Sequence, residues 1–102
     1  MLLEIAEIET RKGAEDEFAK AMREQGIPNL AACEGCVSVR FGRGVENPSK
    51  FTFNVVWTSI DAHNAARELE SFHKFRAAFG DLTVGGGMNH FMMDDPVEGA
   101  SA

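Results

Sequence analysis

The chain has no tyrosine, one tryptophan, three prolines and two cysteines. Without tyrosine, no phenol is available as an acid, a base or a hydrogen-bond donor, and polar aromatic contacts fall to a single indole. Two cysteines cannot supply a disulfide framework or a four-sulfur zinc ribbon. Basic residues are scarce too: ten Lys and Arg stand against sixteen Asp and Glu, a net charge of −6. That balance argues against nucleic acid or an anionic membrane as partner, because phosphate binding needs a concentrated basic face. No apolar run approaches the ~18 residues of a membrane span. The N-terminus lacks the basic-then-apolar pattern of a secretion signal, so a cytoplasmic protein is expected.

What is present is ordinary for a folded domain. The 102 residues are 44% hydrophobic and 25% charged, and eight phenylalanines supply most of the aromatic bulk. That length suits one domain, placed at residues 1–93, with 94–102 read as a frayed acidic tail. Leu2 to Glu9 mixes alternation with branched residues and predicts a strand. Ala14 to Gln25 predicts a helix, with Glu15, Asp16 and Glu17 in its first turn, stopped by Gly26-Ile27-Pro28. One more helical turn is expected over Asn29–Glu34. Val37–Phe41 alternates as a strand, and the Gly- and Asn-containing stretch from Gly42 to Lys50 predicts a hairpin connection. Phe51–Trp57 is the strongest strand signal, with Phe51, Phe53, Val55 and Trp57 on one face and Thr52, Asn54 and Val56 on the other. Thr58, Ser59 and Asp61 offer N-caps for a single long helix reaching Phe79. Its expected buried stripe is Ala62, Ala65, Leu69, Phe72, Phe75 and Phe79. Gly80 and Gly85-Gly86-Gly87 read as punctuation before a last strand at Met88–Met93.

The order β-α-β-β-α-β predicts an α+β, ferredoxin-like domain: a four-stranded antiparallel sheet with helices on one face. Both strand faces carry apolar residues, Leu2 and Ile8 on one and Leu3 and Ile5 on the other. At ~25 cal/mol per Å2, burying a few hundred Å2 of that second face is worth several kcal/mol. Sheet-to-sheet homodimerisation is the expected way to gain it.

Among candidate motifs, Cys33-Glu34-Gly35-Cys36 lies between a helix and a strand, the reverse of the strand-then-helix context of a redox pair, and reads as packing. His63, Glu70 and His73 fall on one flank of the long predicted helix. Glu70-x-x-His73 has the spacing of carboxylate-bridged di-iron bundles but occurs once, so no metal is expected. Trp57 ends the best strand as either a core residue or the wall of a flat-ligand site. Asn54 sits mid-strand, where asparagine is disfavoured, and divides evenly between a dimer-interface role and ligand contact. Met88, Met92 and Met93 with Phe91 suit adaptable packing at a subunit contact.

The chain resembles the antibiotic biosynthesis monooxygenase family of the dimeric α+β barrel superfamily. The resemblance spans roughly residues 2 to 92. It rests on Gly13-Ala14-Glu15-Asp16-Glu17-Phe18, Glu34-Gly35-Cys36, Glu46-Asn47-Pro48-Ser49-Lys50-Phe51, Val56-Trp57-Thr58-Ser59-Ile60-Asp61-Ala62 and His90-Phe91. It implies a homodimer forming a dimeric α+β barrel, with a pocket in each subunit between sheet and helices. Some family members oxygenate aromatic polyketides or quinols with O2 and neither metal nor flavin. The protein then supplies a dry pocket, donors for a developing anion and a proton acceptor. Trp57 matches the family's strand-end tryptophan, and Ser71-Phe72-His73 is similar to its Ser-Pro-His. The histidine that often follows that tryptophan by nine residues is Ala66 here. The first strand lacks the asparagine of haem-degrading relatives, and the tyrosine of several oxygenating relatives is absent.

The resulting expectation is a cofactor-independent monooxygenase of a small aromatic or quinol. His73, His63 and Trp57 are its expected catalytic groups, and Asn54, Phe53 and Phe72 its pocket. The alternatives are a dimeric module of the same fold that binds an apolar small molecule unchanged, or acts in a stress response, and a domain whose pocket has closed on its phenylalanines.

Overall fold

The computed structural model describes residues 1–101. Four strands form one antiparallel sheet: β1 (Leu2–Thr10), β2 (Cys36–Arg43), β3 (Lys50–Trp57) and β4 (Thr83–Met92), in the order β2-β3-β1-β4. The helices α1 (Glu15–Ala21), α2 (Ile27–Ala31), α3 (Ile60–Ala66) and α4 (Glu70–Ala77) complete the expected ferredoxin-like α+β order.

β3 shows why this sheet has two unlike faces. Phe51, Phe53, Val55 and Trp57 are buried, while Thr52, Asn54 and Val56 between them are half-exposed. The register carries that division across the sheet, because directly opposed residues share a face. Leu2, Glu4 and Ala6 of β1 oppose Trp57, Val55 and Phe53, and His90 of β4 opposes Glu4. These residues face the helices. Leu3, Ile5, Asn54, Val56, Asn89 and Phe91 share the other face, where Phe91 is 47% exposed.

Three elements depart from the sequence expectation. The first helix does not stop at Gly26-Ile27-Pro28. It passes through a wider π-helical turn over Met22–Gly26 and continues as α2 to Ala31. Pro28 has no N–H to donate to the preceding turn, and the wider π-helical turn lies directly before it. Gly26 sits at the join, where an added Cβ would lie 2.7 Å from Met22 Sδ and the end of that side chain would have to shift.

The single long second helix is instead two helices with a bend at Arg67–Leu69. Ser59 caps α3 as anticipated, its hydroxyl accepting from the Ala62 N–H at 3.0 Å. The buried residues of α3 are His63 and Ala66 rather than Ala62 and Ala65, whereas Phe75 and Phe79 are buried as expected. The bend resets the helical phase, so one stripe cannot be extrapolated through it.

Finally, Gly85-Gly86-Gly87 lies inside β4, which therefore starts at Thr83. Gly86 packs so closely on β1 that an added Cβ would meet Glu7 O at 2.5 Å. Beyond Met92 the chain forms no further strand or helix through residue 101.

Candidate functional site

The helix-facing side of the sheet divides into two parts. Across most of it every phenylalanine except Phe91 joins a network of ring contacts. Phe18 lies 5.1 Å from Phe51 and 5.5 Å from Phe79, Phe53 is 5.5 Å from Phe75, and Phe72 is 5.6 Å from Phe75. These edge-on and tilted geometries are the ones aromatic quadrupoles favour. Toward the ends of β1, β3 and β4 the lining turns polar. Glu4, 7% exposed, and His63, 5% exposed, are the charged or titratable residues buried in this layer.

Their positions follow from local structure. Strand alternation places Glu4 between Leu2 and Ala6 on the helix-facing side, and antiparallel pairing sets His90 opposite it. The Ser59 cap starts α3 directly after Trp57, so one turn later His63 projects back over the sheet. The Trp57 indole N–H donates to Glu4 Oε1 at 2.9 Å. His63 Nε2 stands 3.4 Å from the same oxygen and 3.2 Å from His90 Nε2. The indole ring meets His63 edge-on at 5.6 Å.

His63 is held by its other ring nitrogen as well. Nδ1 lies 3.2 Å from Asn64 Oδ1. An amide oxygen only accepts, so in the tautomer with its proton on Nδ1 this contact is a hydrogen bond and the Nε2 lone pair faces Glu4 and His90. Burial pushes the His63 pKa below its usual 6.5, and the Glu4 carboxylate pulls the other way. The neutral, basic form of the ring is thus the resting one, and an imidazolium would form beside a carboxylate.

Glu4 and His63 open onto a cavity of about 290 Å3 between sheet and helices. Its walls include Phe53, Val55, Phe72, Phe75, Phe79 and Met88, with Arg67 and Arg76 on the helix side. That volume sits at the lower end of the ~300–1,000 Å3 of small-molecule sites and suits a ligand of one or two rings. A larger hollow of about 440 Å3 near the β2–β3 hairpin is walled by Glu7, Arg43, Glu46 and Lys50 among others, without histidine or cysteine.

Of the residues singled out in the sequence, His63, Phe53 and Phe72 line the cavity. Trp57 stands behind it, bonded to Glu4. Asn54 lies on the opposite sheet face, where Thr52 Oγ1 approaches its Oδ1 at 3.2 Å. His73 is exposed, and its Nε2 lies 2.8 Å from Arg67 O at the helix bend. Glu70 pairs with Lys74 at 3.7 Å. The expected flank of His63, Glu70 and His73 therefore does not assemble, because the bend separates His63 from the other two. Cys33 and Cys36 are free thiols. Cys33 is buried with its Sγ 3.3 Å from Ser71 Oγ, and burial pushes the Cys36 thiol pKa up, away from thiolate reactivity.

Glu4 and His90 were not among the expected site residues. The signal for Glu4 was present: it is the one acid on the Leu2-Ala6 face of an otherwise alternating strand. His90 had no such marker until the β1–β4 register placed it.

The fold is a ferredoxin-like α+β layer whose buried acid–imidazole cluster borders a cavity between sheet and helices. The antibiotic biosynthesis monooxygenase family matches residues 1–78, and the chain belongs to that family. Solved structures agree. A protein of Bordetella bronchiseptica named for the same family superposes with a TM-score of 0.83 at 25% identity, covering 91% of this chain and 96% of that one. A Chloroflexus aurantiacus protein named likewise gives 0.74 at 20% identity, covering 96% and 94%. One from Deinococcus radiodurans gives 0.77 at 10% identity, covering 96% and 97%. At those last two identities the likeness is one of fold. No curated protein matches the chain.

Proposed function

We propose that this protein is a monooxygenase that oxidises a small aromatic or quinol with O2, working as a homodimer. The observation that carries the reading is the meeting of an aromatic-walled cavity with a buried carboxylate–imidazole cluster. An apolar ring would lie among Phe53, Phe72, Phe75 and Phe79. Its acidic proton would pass to the neutral His63, whose cation the Glu4 carboxylate stabilises at 3.4 Å. The resulting electron-rich anion can reduce O2 itself. A quinol going to a hydroxyquinone with one oxygen atom released as water balances without an external reductant.

In this reading Trp57 is a positioning residue that holds Glu4. His73 supports the helix bend, and Asn54 belongs to the dimer face. Support for the dimer comes from Leu3, Ile5, Val56 and Phe91, which share the sheet face that no helix covers. No helix among the described residues is long and apolar enough to cross a membrane. The free thiols Cys33 and Cys36 favour a reducing compartment such as the cytoplasm.

The test is oxygen uptake by purified protein across a panel of anthrones and naphthoquinols. Uptake above the buffer rate is expected, lowered by about 100-fold in His63→Ala, the low end of general-base contributions, and little changed in His73→Ala. No turnover with any member of the panel overturns the reading. Saturable binding with the ligand recovered unchanged would support the non-catalytic module instead.

A further inference from the structure

We propose that Glu4, His63 and His90 form a binding site for one divalent transition-metal ion in the wall of the cavity. The ligand atoms of the three side chains lie within 4.8 Å of one another. Two of the separations are tighter: 3.4 Å from Glu4 Oε1 to His63 Nε2 and 3.2 Å between the two histidine Nε2 atoms. Metal–nitrogen and metal–oxygen bonds of ~2.0–2.2 Å set tetrahedral ligand edges at about 3.3–3.6 Å and octahedral ones at about 2.8–3.1 Å. The two measured edges fall in and just below the tetrahedral range, and the third, between Glu4 and His90, lies within 4.8 Å, so an ion would draw that pair together.

The proton inventory favours a cation there. With the His63 proton on Nδ1, its Nε2 lone pair points at a carboxylate oxygen and at the His90 ring. His90 can donate one proton to that lone pair, but the contact between Glu4 Oε1 and His63 Nε2 is then acceptor against acceptor. A positive ion bound to all three removes the conflict, whereas a single shared proton serves two of them. The surrounding contacts are those that orient metal ligands. Asn64 fixes the His63 tautomer through the distal nitrogen, and the Trp57 N–H fixes the carboxylate. Two imidazoles and a carboxylate select first-row ions such as iron(II), cobalt(II) or zinc over calcium or magnesium. Three protein ligands leave positions free, and Glu4 and His63 both border the cavity, so an oxygen of a bound small molecule is the natural further ligand.

Other clusters do not compete with this one. Glu70 and His73 are exposed and engaged elsewhere, and Cys33 and Cys36 bring no ligand atom into the group formed by Glu4, His63 and His90. The inference goes beyond the oxygenase reading and is tested without substrate. An ion would occupy the lone pairs that reading gives to a proton, so the metal-loaded and proton-accepting forms are alternative states of the same cluster.

Titration of the full chain with cobalt(II) alone, followed by visible absorption, tests the site. The expected result is a d–d band that saturates at one ion per chain, without a sulfur-to-cobalt charge-transfer band. It should persist in the Cys33→Ser/Cys36→Ser double variant. Affinity should fall by about 100-fold in His90→Gln and in Glu4→Gln, both near-isosteric, with circular dichroism confirming that each folds. Absence of a saturable band overturns the proposal. So does a band that survives both variants, or one lost with the cysteines. Oxygen uptake plays no part in this readout, so its failure leaves the metal result standing.

Discussion

One face of one sheet carries two chemically opposite regions. Around Phe18, Phe51 and Phe53 the layer between sheet and helices is filled by interlocking rings. A few residues along the same strands, Glu4, His63 and His90 gather where apolar side chains would have packed as well. The first region stabilises by excluding water and by dispersion. The second exposes the fold to desolvation costs that only its mutual contacts offset. Polar groups kept inside a small domain at that cost are the reason the proposed chemistry is placed there.

Removing rings from the first region should give the largest loss. Phe18 is fully buried and touches Phe41, Phe51 and Phe79. Phe18→Ala is expected to cost about 3–5 kcal/mol in urea unfolding, most of a small domain's stability. A loss below about 1 kcal/mol would mean that the aromatic layer can collapse around the gap, and the contrast would weaken.

A smaller effect is expected from the second region. Trp57→Phe keeps the buried ring but removes the N–H that meets Glu4. Leaving that carboxylate short of a donor should cost about 1–3 kcal/mol. The same chemical denaturation reads it, and no change would show that Glu4 is satisfied without the indole.

The smallest effect is confined to acid. Burial lowers the His63 pKa in the folded chain relative to its usual 6.5. Below that value the unfolded state binds more protons than the native one at this residue, so stability should decline as pH drops through about 6.5 and toward the folded pKa. Above it His63 contributes no slope. Thermal midpoints measured against pH should show this decline flattened in His63→Gln, and an unchanged profile would place His63 outside the buried cluster.

The strands were legible in the sequence because one buried face imposes a period of two, as at Phe51, Phe53, Val55 and Trp57. The β-α-β-β-α-β order followed from them. The Phe75 and Phe79 end of the second helical arm was legible for the same reason at a period near four. The Ala62 to Leu69 half was not, since the bend at Arg67–Leu69 shifts the phase and exchanges His63 for Ala62. Gly85-Gly86-Gly87 looked like a connection because propensity sees only missing side chains. The strand forms there by pairing with β1, and Gly86 leaves the space that this close approach needs. For the site, His63, Phe53 and Phe72 were identifiable by residue type, while His90 needed the register of β4 on β1. Glu4 was visible to alternation and lost among neighbouring glutamates.

The pairing of Glu4 with His90 has a consequence for how the cluster comes into being. Its members sit at positions 4, 63 and 90, and the last joins only when β4 adds to the edge of β1. A growing polypeptide still held by the ribosome therefore carries an open, incomplete cluster after β1, β2, β3 and most of the helices have been made. Such distant pairings bear a high chain-closure cost and form late. Completion of the site thus requires synthesis past residue 90: a product shortened before it could collapse its aromatic layer and still be unable to assemble the buried trio.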